Sequence, residues 1–153
     1  MIKNLEKAEC IHLLKNNYIG FLGYIYKNKP FVLPISYYFD ESKNTIIGYS
    51  GKGHKIKALR IHNYASLEVA KINSINQWQS VLVQGTFEEL SGSHSKSQLH
   101  NFSNGIKEII NKNEDRNIQF LSEFSGKIYN DEFPIVFIIN IDKITGKERN
   151  HIA

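Results

Sequence analysis

Between Glu6 and Asn17 the apolar positions Ala8, Cys10, Ile11, Leu13 and Leu14 recur at three- and four-residue spacing, which predicts an amphipathic helix ending near Asn16-Asn17. From Tyr18 to Tyr26 the chain turns aromatic and β-branched, and the polar Lys27-Asn28-Lys29 before Pro30 reads as a hairpin turn. Phe31 to Phe39 and Thr45 to Ser50 are two further strands, separated by a turn over Asp40 to Asn44, so the first half predicts a three-stranded antiparallel meander.

Gly51-Lys52-Gly53 then forms a flexible corner, and Ile56, Leu59 and Ile61 give the segment His54 to His62 the apolar stripe of a short helix with a basic outer face. Tyr64 to Ile72 and Trp78 to Leu90 resume strand character around the polar Asn73 to Gln77 turn. Leu99, Phe102, Ile106, Ile109 and Ile110 favour a helix over Ser93 to Asn113, with Asn104-Gly105 marking a weak point or a break. Phe120, Leu121 and Phe124 suggest one more helical turn. Ile135 to Ile141 is a continuous apolar run, read as a buried sixth strand, and Thr145-Gly146-Lys147 follows as a compact tail. Six antiparallel strands with helices between them and at one end predict an α+β barrel in one domain over residues 1–153, because closure removes exposed sheet edges.

Composition narrows the classes of function. Hydrophobic residues make up 41% of the 153 and charged residues 22%, and the apolar positions are spread along the chain, which disfavours both disorder and a membrane span. The N-terminal residues interleave charge where a signal peptide needs an apolar stretch, so a cytoplasmic location is expected. Cys10, the single cysteine, has no intramolecular disulfide partner. A good part of the net charge of +4 lies in Lys52, Lys55, Lys57 and Arg60, which suits a local phosphate site better than the long basic stripe of a nucleic-acid binder.

The chemistry concentrates in Ser50-Gly51-Lys52-Gly53-His54-Lys55. Unpaired N–H groups at a helix start, glycines that permit close approach, and the donors of His54 and Lys55 together suit a phosphate monoester; a solvated, lysine-bearing loop is the plainer reading of the same residues. His54-Lys55 stands where a P-loop needs Lys-Ser/Thr, and no third glycine completes a dinucleotide fingerprint. The six histidines form no two-histidine metal motif, and there is no nucleophile elbow, so a metal site and hydrolase chemistry are not expected. Pro34, inside the apolar run Leu33 to Tyr38, marks either a sheet edge or a place where something binds. Trp78-Gln79-Ser80 opens a strand with one large ring and two polar side chains, a pattern suited to an interface as well as to a binding site.

Taken together, Gly20-Phe21-Leu22, Pro34-Ile35-Ser36-Tyr37, Gly53-His54-Lys55 with Leu59-Arg60, Ser80-Val81 with Gly85, and Ile144-Thr145-Gly146-Lys147 resemble the flavin-binding split β-barrel proteins related to pyridoxamine 5'-phosphate oxidase, in particular the branch containing the nitroimidazole-resistance proteins. The resemblance spans nearly the whole chain. It implies a homodimer with FMN between the subunits. Its isoalloxazine edge would meet the backbone of Pro34, Ile35, Ser36 and Tyr37, and its phosphate the corner of Ser50, Gly53, His54 and Lys55. By the same resemblance Trp78, Gln79 and Ser80 approach the cofactor from the partner subunit, and Lys147 is a further candidate. The activity implied is an oxidoreductase carrying electrons from NADH or NADPH to a small acceptor such as a nitro-compound or quinone. The alternatives are a haem-binding split barrel, a flavin-binding module without turnover, and a ligand-free dimer.

Overall fold

A computed structural model describes residues 1–113 and 135–151. In chain order the elements are β1 (Ile2–Asn4), α1 (Lys7–Lys15), β2 (Ile19–Tyr26), β3 (Lys29–Ser36), β4 (Tyr38–Asp40), β5 (Thr45–Ser50), α2 (His54–Ile61), β6 (Tyr64–Ser74), β7 (Gln77–Glu89), α3 (Gly92–Asn113) and β8 (Ile135–Asn150). The strands form one antiparallel sheet in the order β3-β2-β6-β7-β8-β5-β4, with β1 paired to β8. The α+β architecture is the expected one. The strand number is eight among the described residues rather than six, and Phe120, Leu121 and Phe124 lie outside those residues.

The two ends of this path are neighbours in the chain. Only Tyr37 separates β3, paired to β2, from β4, paired to β5, so residues 29–40 act as one bent strand that closes the sheet on itself. The bend follows from Tyr37 itself: its ring is fully buried, its hydroxyl donates to the Leu14 carbonyl at 2.8 Å, and its N–H donates to the Tyr18 carbonyl at 2.8 Å. A side chain anchored that deeply takes the strand out of the regular ladder at one residue.

Inside the barrel, Leu22, Leu67, Val69, Val81, Val83, Phe137 and Ile139 are buried with Leu14 of α1 and with Ile56 and Leu59 of α2. A second cluster lies under α3, where Leu99, Phe102, Ile106 and Ile110 cover Ile47, Val136 and Ile138. Alternate residues of β5 and β8 therefore enter different clusters, and the first half of β8 is apolar at every position because both of its faces are covered. The helix α3 is unbroken through Asn104-Gly105; a Cβ on Gly105 would run into the Tyr38 ring, so the glycine permits close helix-to-sheet approach.

Two expectations are corrected at the C-terminal end. Thr145-Gly146-Lys147 is the middle of the long strand β8, and β1 is an added strand along its edge. Past Asn140 one side of β8 meets solvent, so the residues read as polar while the ladder to β7 continues to Gln77↔Asn150.

Candidate functional site

Pro34 answers the question its sequence position raised. Tyr37 points its N–H at Tyr18, and in an antiparallel ladder alternate residues point the same way, so Ile35 and Leu33 bond to β2 while Pro34 and Ser36 face away from it. The proline thus occupies an edge position whose missing N–H costs no bond within the β2–β3 pair. β3 and β5 come into contact beyond the bend, so the strand that carries Pro34, Ile35 and Ser36 runs beside the one that ends at the glycine corner. Tyr37 instead gives its N–H to Tyr18 and its side chain to the core.

At the corner, Ser50 is buried and donates its hydroxyl to the Gly51 carbonyl at 2.7 Å. Gly51 and Gly53 are exposed, neither has a positive φ, and a Cβ on either would meet nothing within 4 Å. Neither φ nor crowding within the chain therefore demands glycine at these two positions, and the space above them is open. Gly53 caps α2 without any side-chain hydrogen bond, so the first-turn amide groups are not claimed by a side-chain cap. Lys55, the second residue of α2, is half-buried, and desolvation pulls its ammonium below the usual lysine range. It has no ion-pair or hydrogen-bond partner among the described residues.

His54 sits in an aromatic box that sequence reasoning missed. Its ring centroid lies 4.7 Å from that of Phe31, 4.8 Å from Tyr26 and 5.7 Å from Tyr24, and its Nδ1 is 2.8 Å from the Tyr24 hydroxyl. Tyr24 and Tyr26 alternate on one face of β2 and Phe31 is the cross-strand partner of Tyr24, a pairing the hairpin pattern implies. What it does not reveal is that α2 lays His54 across that face.

The remaining candidates gather elsewhere. Ser80 pairs with Lys147, Gln79 with Glu148 and Trp78 with Arg149 across the β7–β8 ladder. Gln79 donates to Glu148 at 3.3 Å, and Lys147 donates to Asn4 Oδ1 of β1 at 3.1 Å. Trp78, Gln79, Lys71, Asn73, Glu148 and Arg149 line an open cleft of about 170 Å³. The Nε of Arg149, a residue not singled out from sequence as a site, is buried there with no hydrogen-bond partner. The candidate residues thus form two groups. On β6, Ser66 lies opposite Gly23, beside Tyr24, and Ile72 lies opposite Trp78; the six-residue step from one to the other corresponds to about 20 Å of strand. On β8, Ile135 lies opposite Ser50 and Lys147 opposite Ser80, about 40 Å apart along the strand.

Against known families, residues 6–127 match the model described as pyridoxamine 5'-phosphate oxidase. The chain belongs to that family. A curated relative, an uncharacterized protein of Rhizobium meliloti, is 29% identical over 89 residues, which are 58% of this chain and 58% of the relative, so the match covers a little over half of each. Among solved structures, the chain resembles a FAD-binding protein from Mesorhizobium loti with a TM-score of 0.74 at 22% identity, covering 98% of this chain and 99% of that one. It also resembles a provisional 5-nitroimidazole antibiotic resistance protein from Bacteroides thetaiotaomicron, with a TM-score of 0.68 at 16% identity over 97% and 89% of the two chains. These likenesses establish the split-barrel fold. No helix among the described residues is long and apolar enough to cross a membrane.

Proposed function

We propose that this protein is an FMN-dependent oxidoreductase that works as a homodimer, taking electrons from NADH or NADPH and delivering them to a small acceptor such as a nitro-compound or quinone. The observation that carries the reading is Lys55: a half-buried ammonium without a partner among the described residues, beside a helix start with no side-chain cap and two glycines that open onto empty space. A desolvated, uncompensated cation is costly, and a phosphate there offsets the cost. The residues present fit the cofactor. Ser50, Gly53, His54 and Lys55 would hold its phosphate, and Pro34, Ile35 and Ser36 would present an edge backbone to its ring system. Arg149 offers an unsatisfied donor in the Trp78 cleft.

Bound FMN supplies the redox chemistry, accepting a hydride and passing electrons on. The chain binds and orients it. Along the strands the two groups of residues lie well apart within one chain, and a second copy that supplies one of them would bring both to a single flavin. The outer face of β3, β2, β6 and β7 is suited to that copy. Ile19, Phe21, Val32, Tyr64 and Leu82 are exposed there, and Phe21, Val32 and Leu82 line one shallow depression.

Anaerobic mixing with NADH or NADPH tests the activity: the proposal expects bleaching of the bound flavin and its reoxidation by a nitro-compound or quinone. Bound FMN that neither donor reduces would reject turnover and leave a flavin-binding module.

A further inference from the structure

Sequence patterns and family membership leave Tyr24 without a role, yet among the described residues it makes the only hydrogen bond to the His54 side chain. Tyr24 is 6% exposed, and its hydroxyl stands 2.8 Å from His54 Nδ1 with no other hydrogen-bond partner among the described residues. A phenol hydroxyl is a stronger donor than a neutral imidazole N–H, and an imidazole nitrogen is a stronger acceptor than a phenol oxygen, so at this part-buried contact the favoured direction is from the phenol to Nδ1. That direction leaves the imidazole neutral with its hydrogen on Nε2. Three rings also flank the exposed imidazole at centroid distances of 4.7 to 5.7 Å, which restricts its orientation.

We infer that Tyr24 is a positioning residue: its hydroxyl bond to Nδ1 holds His54 as a fixed Nε2–H donor at the glycine corner, matched to a ligand group that only accepts hydrogen bonds, such as a phosphate oxygen. The ligand half of this inference rests on the flavin-phosphate reading of the corner; the tautomer half stands without it. A neutral donor complements Lys55. The ammonium supplies charge from a flexible stem, and the imidazole supplies direction.

The test uses the full chain labelled with ¹⁵N, in long-range proton–nitrogen correlation spectra at mildly alkaline pH, with the His54 ring assigned through His54→Gln. The wild-type Nδ1 is expected to be an unprotonated nitrogen shifted by accepting a hydrogen bond, and Tyr24→Phe should move it to the unbonded position. FMN affinity, read by fluorescence quenching, should fall about three- to tenfold in Tyr24→Phe. The same substitution made in a His54→Ala background should have no further effect. A protonated Nδ1 in the wild-type protein, or an equal loss of affinity from Tyr24→Phe with and without His54, overturns the inference. If FMN does not bind at all, the functional reading fails while the wild-type spectrum still decides the tautomer, and that spectrum needs no variant to fold.

Discussion

Arg60 grips Glu89 with two parallel hydrogen bonds, Nε to Oε2 at 2.8 Å and Nη2 to Oε1 at 2.7 Å. The bond from Arg60 holds the Glu89 carboxyl below its usual value, so this small stabilising contribution is present above the ordinary carboxylate range and is lost as pH falls through the lowered value. The pair also removes one cation from the basic set on α2. Arg60→Ala should therefore leave FMN affinity near that of the wild type, as titrated by fluorescence quenching, and should slightly reduce thermal stability at neutral pH but not in acid.

Lys55 behaves differently because it has no partner among the described residues. Lys55→Ala should weaken FMN binding by about 1.5–3 kcal/mol, roughly ten- to a hundredfold in affinity. Isothermal titration of the apo-protein with FMN measures it, and an unchanged affinity would remove Lys55 from the site.

Tyr37 lies next to candidate ligand residues in sequence but serves the bend between β3 and β4. Tyr37→Phe should cost about 0.5–1.5 kcal/mol by leaving the Leu14 carbonyl without this donor, with FMN affinity unaffected. Burial drives the phenol far above the ordinary tyrosine range. The contribution it makes is thus complete below pH about 10, where an unfolded tyrosine begins to ionise, and declines as pH rises further. Urea titrations across that range should show wild-type stability falling more steeply with pH than that of Tyr37→Phe.

How far the sequence exposed this architecture depends on where each element's neighbours lie. Thr45 to Ser50 was legible as a strand with its observed bounds, and the Ile135 run was legible because barrel and helix cover its two faces. The polar half of β8 was not, since one face meets water, and β1 is too short to leave a pattern. The glycine corner could be read because its residues are consecutive. The box around His54 could not, because it joins β2, β3 and α2, and the meeting of Trp78 with Arg149 depends on a register that only the folded sheet fixes.

Val32 is 69% exposed on the face assigned to the second copy. A charge placed there would be buried without a partner on association. Val32→Asp should yield a folded monomer by light scattering, and that monomer should lose FMN because each chain holds only half of the site. A dimer that survives the substitution would move the interface elsewhere.

The most direct test of the central claim is the visible absorption spectrum of freshly purified protein, with the acid-released chromophore identified by chromatography. Flavin bands are expected, with FMN as the released compound at one per chain. A Soret band, or a colourless protein that FMN does not reconstitute, would contradict it.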